Sequence, residues 1–217
     1  MILRKQVRAE GGPVKRSAVR RSTAWIFVLL LLSASIGAFA AASDGIPWNL
    51  ACPVSWSLFQ GAAPSDATQR NEPAAIHMTI QWRASFVTTS TNGRTWTARV
   101  DSVTVTNTIS PSRSWHVPSK VTQDILEHEQ AHFDLNEAYR RKLEAVLPCV
   151  QAQASSQQGS IDAVHAATCA AADEILEMLV VMQTRYDGET RHGMDRNAQA
   201  DWEAQIARWL REPLAIP

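Results

Sequence analysis

The sequence predicts an α+β fold, a small antiparallel sheet followed by a helical part. Three observations carry it. From Ile76 the apolar residues alternate: Ile76, Met78, Ile80 and Trp82 share one face and His77, Thr79 and Gln81 the other, the pattern of a half-buried strand. A turn signal, Ser90-Thr91-Asn92-Gly93, separates this from a stretch over 95–108 rich in Thr, Val and Trp. After Pro118 the apolar spacing changes to that of helices.

The chain opens differently. Seven basic residues and one acid fall within residues 1–22, so the formal net charge of zero conceals a net of −6 in the remainder. Arg20-Arg21 precede an apolar run from Ala24 to Ala40, which ends in small residues at Ala38 and Ala40. This order of basic, apolar and small-residue regions is that of a secretory signal. Residues 1–42 are therefore expected to be a signal peptide, or an N-terminal membrane anchor over 24–42, and residues 43–217 one exported domain, periplasmic or secreted. The charge balance argues against a nucleic-acid binder working by bulk charge, and a membrane partner is expected only through the N-terminal segment.

Within the exported part, residues 43–75 read as an irregular entry, with Trp56 and Phe59 turned inward ahead of Gly61. Strands follow to residue 108, with Phe86 and Val87 extending the first or starting another. Val103 and Val105 oppose Thr104 and Thr106, as in a hairpin. Pro111 and Pro118 bracket a loop holding Trp115 and His116. Ser119 can cap a first helix that runs to Pro148. A Gln/Ser-rich loop, 151–160, leads to a second helix over about 161–182. A polar stretch over 184–193 precedes a last helix over about 195–210. Export permits disulfides, and a helical hairpin would bring Cys149 to Cys169; that bridge is expected to contribute roughly 3 kcal/mol by the loop-entropy model. Cys52 is left over.

Inside the first helix stands His128-Glu129-Gln130-Ala131-His132. Histidines at i and i+4 lie on one face, one turn apart, and two imidazoles so placed can share a metal ion. Glu129 follows the first histidine as in the helix motif of zinc proteases, where that carboxylate takes a proton from a metal-activated water. A third ligand is required. His192, beside the permissive Gly193, is one candidate; Glu174 or Glu177 on the second helix is another. His77, expected to be solvated, and His116 are weaker candidates.

These residues resemble a known family. His128-Glu129-Gln130-Ala131-His132-Phe133-Asp134 is similar to the HEQ-x-HFD signature of a bacterial family of predicted secreted zinc-dependent proteases, known mostly as a domain of unknown function. Trp56-Ser57-Leu58-Phe59-Gln60-Gly61 resembles its entry motif, and Tyr186-Asp187-Gly188-Glu189-Thr190-Arg191-His192-Gly193 its Y-D-x-x-T-x-H-G motif. Gln199 and Trp202 fit the helix that follows, so the resemblance spans about residues 50–210. Ala131 departs from a glycine common in the signature. The resemblance implies a zincin-like fold, a small sheet packed on the helix bearing the histidines, and it favours His192 over Glu174 as the third ligand. Tyr186 then reads either as a hydroxyl steadying a developing oxyanion or as a buried aromatic with a hydrogen bond. Asp134 and Asp187 are candidates for the carboxylates that accept the other N–H of metal-bound histidines.

The function expected is a zinc-dependent metallopeptidase acting on a peptide or protein substrate, with Glu129 as base and then as proton donor to the leaving amine. Two alternatives remain open: a non-catalytic metal-stabilised binding module closed by a fourth protein ligand, and a zinc amidase acting on cell-wall peptides. Histidine ligands also accept manganese and other divalent ions.

Overall fold

A computed structural model of the chain describes residues 45–70 and 72–217; the export segment expected over residues 1–42 lies outside them. Among the described residues no helix is long and apolar enough to cross a membrane. The strands are β1 (Ile46–Pro47), β2 (Ala74–Ala75), β3 (Met78–Thr89), β4 (Trp96–Ile109), β5 (Trp115–His116) and β6 (Gln151–Ala154), and the helices are α1 (Gln123–Val146), α2 (Gln157–Thr190) and α3 (Arg196–Arg211). Small antiparallel sheets pack with three helices, the α+β arrangement expected; all strands but β6, which falls between α1 and α2, precede the helices.

The 14-residue β4 organises the main sheet. It pairs with β3 along one edge and with β1 and β6 at opposite ends of the other, all antiparallel. Ser85 pairs with Ser102 and Phe86 with Val100, so Asp101 is an extra residue, a β-bulge. The bulge resets the alternation. Val105 and Val103 cover one face, and beyond Asp101 that face continues through Val100 and Ala98, both buried. The stretch read as a Gln/Ser-rich loop contains β6, whose Gln-Ala-Gln-Ala alternation lets Ala152 and Ala154 turn partly inward.

Helix α1 packs against β4, α2 and α3, and α2 against β4 and β6. The core between them holds Trp82, Val105, Leu135, Tyr139, Leu143, Leu179, Tyr186, Trp202, Ile206 and Trp209. A second cluster, with Val54, Phe59, Ile76, Met78, Ile109, Ile125 and Phe133, lies where the entry segment meets α1. Thr122, not Ser119, caps α1 by accepting the Ile125 N–H, because Pro118–Lys120 forms a separate 3-10 turn. Helix α2 runs eight residues past the expected end. Its buried stripe continues through Met182, Gln183, Tyr186 and Thr190, while an Arg185–Glu189 ion pair at 2.6 Å lies on the outer face.

Three further expectations are corrected. His77 is buried, not solvated; its backbone N–H donates to Ser114 Oγ at 2.9 Å. The Cys149–Cys169 bridge is not formed. Cys149 is exposed, Cys169 lies 3.8 Å from His165 on α2, and Cys52 is free as well. The strand β6 intervenes between the helices, so the connection is not the tight helical hairpin that the pairing required. Finally, Glu174 stands 13 positions before Asp187 on one continuous helix, about 20 Å along its axis.

Candidate functional site

The site forms where the middle of α1 meets the C-terminal turn of α2. Both are held from behind by α3. His128, Glu129 and His132 are all buried. The two imidazoles sit one turn apart with Nε2 atoms 3.1 Å from each other. Asp187 Oδ1, from α2, lies 3.2 Å from His128 Nε2 and 2.9 Å from His132 Nε2. Ligand atoms bound tetrahedrally to one zinc at about 2.0–2.1 Å stand roughly 3.3 Å apart, so these three donors fit a shared divalent cation. His128, His132 and Asp187 are also the cluster among the described residues whose donor atoms all lie within 4.8 Å of one another.

His192 stands one step further out. Its Nδ1 is 3.3 Å from Asp187 Oδ1, its ring centroid is 6.4 Å from that of His128, and its side chain is 39% exposed. The two candidates thus stand in a different order of distance from the histidine pair than expected, with His192 at the rim of the same cleft. Asp187, read from sequence as a carboxylate behind the ligands, joins the histidine pair, and His192, read as a ligand, buttresses Asp187. The cause is the end of α2. The helix carries Asp187 to the cluster, then Arg191, His192 and Gly193 take positive φ (51°, 55° and 80°) and turn the chain toward α3. A Cβ on Gly193 would lie 2.9 Å from His128 Cβ, so glycine serves both the conformation and the close approach.

Glu129 faces the same cleft. Its Oε2 accepts the Ile76 N–H at 2.8 Å. Residues 72–76 line one wall, and His128, Glu129, His132, Asp187 and His192 the other. The cavity between is about 20 Å³, room for one water molecule. Burial pushes the Glu129 carboxyl up to about 7, against the opposing pull of His128 and the Ile76 N–H. Burial also lowers His128, and the neighbouring His132 adds to this. Asp187 goes the other way: burial would raise it, but the imidazoles of His128, His132 and His192 around Oδ1 outweigh burial and hold it far below the usual carboxylate range. The same contact with Asp187 raises His192.

Tyr186 is not in the cleft. Its ring stacks on His128 with centroids 4.6 Å apart and planes 16° apart, and its hydroxyl donates to Gln199 Oε1 at 2.8 Å. It is the buried aromatic of its two readings, and an oxyanion role does not follow from this position. Asp134 does not touch the histidines either. It accepts the Trp48 indole N–H and a Gln130 N–H, each at 2.7 Å, while Gln130 Oε1 accepts the Val54 N–H at 2.7 Å. Gln130 and Asp134 thus fasten the entry segment to α1. Gly61 fastens the same segment to the turn before β5, since its N–H donates to Ser114 O at 2.7 Å and a Cβ there would meet Ser112 O at 2.9 Å. His116 packs on Trp56 and Phe59, away from the cluster.

The groups behind the imidazoles are glutamines, to which sequence reasoning assigned no role. Gln199 Oε1 lies 3.2 Å from His128 Nδ1, and Gln183 Oε1 lies 2.5 Å from His132 Nδ1. The signals for them in the sequence are a glutamine at position 183 on the apolar stripe of α2 and the fit of Gln199 to the family's last helix.

The model of a bacterial protein family of unknown function, DUF922, matches residues 56–193. No curated protein and no solved structure matches the chain.

Proposed function

Because the chain belongs to the bacterial family of unknown function DUF922, its activity has to be read from its own site, and we propose an exported metallopeptidase with zinc held by His128, His132 and Asp187. One observation carries this reading. Three donor atoms meet within 2.9–3.2 Å of one another, beside the buried carboxyl of Glu129, in a cleft with room for one water. A divalent ion held there supplies a Lewis acid that polarises a carbonyl and acidifies water.

The chain's own groups supply the rest. Glu129 is the proton acceptor. The Ile76 N–H fixes one of its oxygens, and burial gives the carboxyl a proton affinity near neutrality, suited to taking a proton from water and returning it to the leaving amine. His192 orients Asp187 from the open side of the cleft. Residues 72–76 limit bulk water at the reacting centre. Export rests on the basic and apolar segments within residues 1–40.

The test measures zinc binding and peptide cleavage together. One tightly held zinc per chain is expected. Asp187→Ala should lose it, and His192→Ala should weaken it while keeping a measurable site. Glu129→Gln should keep the zinc and reduce cleavage of a mixed peptide substrate by about 10²–10⁴-fold. Zinc binding without cleavage of either proteins or cell-wall peptides would leave the binding-module reading. No zinc binding by the unaltered chain would overturn the proposal.

A further inference from the structure

We infer that Gln183 and Gln199 are positioning residues that hold a proton on Nδ1 of His132 and His128, so that the Nε2 atoms, which face Asp187 Oδ1, are the ring atoms left to meet a cation. Each glutamine's own N–H groups decide which way its amide faces. Gln183 Nε2 donates to His132 O at 3.0 Å and to Asn136 Oδ1 at 2.9 Å. The His132 carbonyl is an acceptor only, so the amide cannot turn its nitrogen toward the imidazole without losing that buried bond and setting two oxygens against each other. Its oxygen is thereby committed to His132 Nδ1, and an oxygen there calls for a proton on the ring.

Gln199 is locked by the same logic from a different helix. Its Nε2 donates to Glu203 Oε1 at 2.8 Å, one turn along α3. Its Oε1 takes the Tyr186 hydroxyl proton at 2.8 Å and faces His128 Nδ1 at 3.2 Å. The Thr190 hydroxyl, 3.5 Å from the same nitrogen, gives its proton to Tyr186 O, so it can only accept there too. Each of these neighbours of the two Nδ1 atoms is therefore an acceptor; Asp187 Oδ1 is an acceptor at the two Nε2 atoms as well, so a cation would displace protons from the Nε2 side alone and leave those on Nδ1 in place. Burial adds weight: Gln183 is fully buried and Gln199 nearly so, and an amide oxygen left without its donor in such a place is costly. Both acceptors are neutral amides, so they orient the rings without adding a further carboxylate beside Asp187 and Glu129.

Nitrogen-15 NMR of the imidazoles tests this in two arms. In the metal-free protein, Nδ1 of both histidines should be of the N–H type, with slowly exchanging protons. In the zinc-loaded protein the same Nδ1–H signals should persist, with both rings bonded through Nε2. Gln183→Leu and Gln199→Leu should each speed exchange of the corresponding proton and raise the zinc Kd by about 10–100-fold. A merely structural role would lower thermal stability and leave the proton and the Kd in place. A bare Nδ1 on either ring of the unaltered protein overturns the inference, even if a variant fails to fold. The zinc arm rests on the proposed metallopeptidase; the metal-free arm does not. Protected Nδ1 protons in a chain that binds no zinc would therefore sink the first reading and keep this one.

Discussion

Gly193 shows how one residue links conformation to chemistry. Its φ of 80° and the 2.9 Å that would separate an added Cβ from His128 Cβ make it intolerant of any side chain. Gly193→Ala is expected to cost about 1–3 kcal/mol in stability and to weaken zinc binding by displacing His128. Chemical denaturation and calorimetric titration would check the two effects separately. At this scale the sequence was partly legible. His128 and His132 follow from helical spacing alone, because i and i+4 share a face whatever surrounds the helix, and Glu129 follows from its place directly after the first histidine. The roles of Asp187 and His192 depend on where α2 ends. Reading 184–193 as a polar stretch hid the turn of helix that carries Asp187 inward. Tyr139 supplies a second residue-scale prediction. It is fully buried, and its hydroxyl has no hydrogen-bond partner among the described residues. Tyr139→Phe should leave stability unchanged or raise it by about 1 kcal/mol, read as the melting temperature.

Among the elements, β4 was legible as a strand but not as a bulged one. Val103 and Val105 announce an alternation that Val100 and Ala98 break by one place, and only the pairing with β3 shows that Asp101 absorbs the break. Deleting Asp101 should therefore preserve the fold, because Ala98, Val100, Val103 and Val105 then fall on one face of a regular strand. Deleting Thr104 instead should abolish folding, since it sends one half of the buried set to the wrong face. Circular dichroism and melting of the two variants would separate them. The Gln-Ala-Gln-Ala strand β6 was not legible, because glutamine and alanine have little strand preference and the segment is set by the edge of β4 it meets. The helices were more readable. Their apolar stripes gave the course of all three, with errors confined to the ends, where capping by Thr122 decides the start of α1 and the left-handed residue Arg191 the end of α2.

For the molecule as a whole, the family match ends at residue 193 but the site does not. Helix α3 follows that boundary, carries Gln199 to His128, and places Trp202, Ile206 and Trp209 in the main core. Removing one such tryptophan side chain typically costs about 3–5 kcal/mol, against a total stability of about 5–15 kcal/mol for a domain. A chain ended at Met194 should therefore lose its cooperative melting transition and its zinc site together, as near-ultraviolet circular dichroism and metal titration would show.

The cluster also has a mechanical side. All three cysteines are free, so no disulfide ties the fold together. His132 and Asp187 lie 55 positions apart along the chain yet meet at 2.9 Å. A cation seated between them would act as a removable rivet, clamping two distant helices at a single point. By mass action, free zinc at about a hundred times its Kd would add about 2.7 kcal/mol to the folded state. Chelation would withdraw the rivet, leaving a looser body for any neighbouring protease to open.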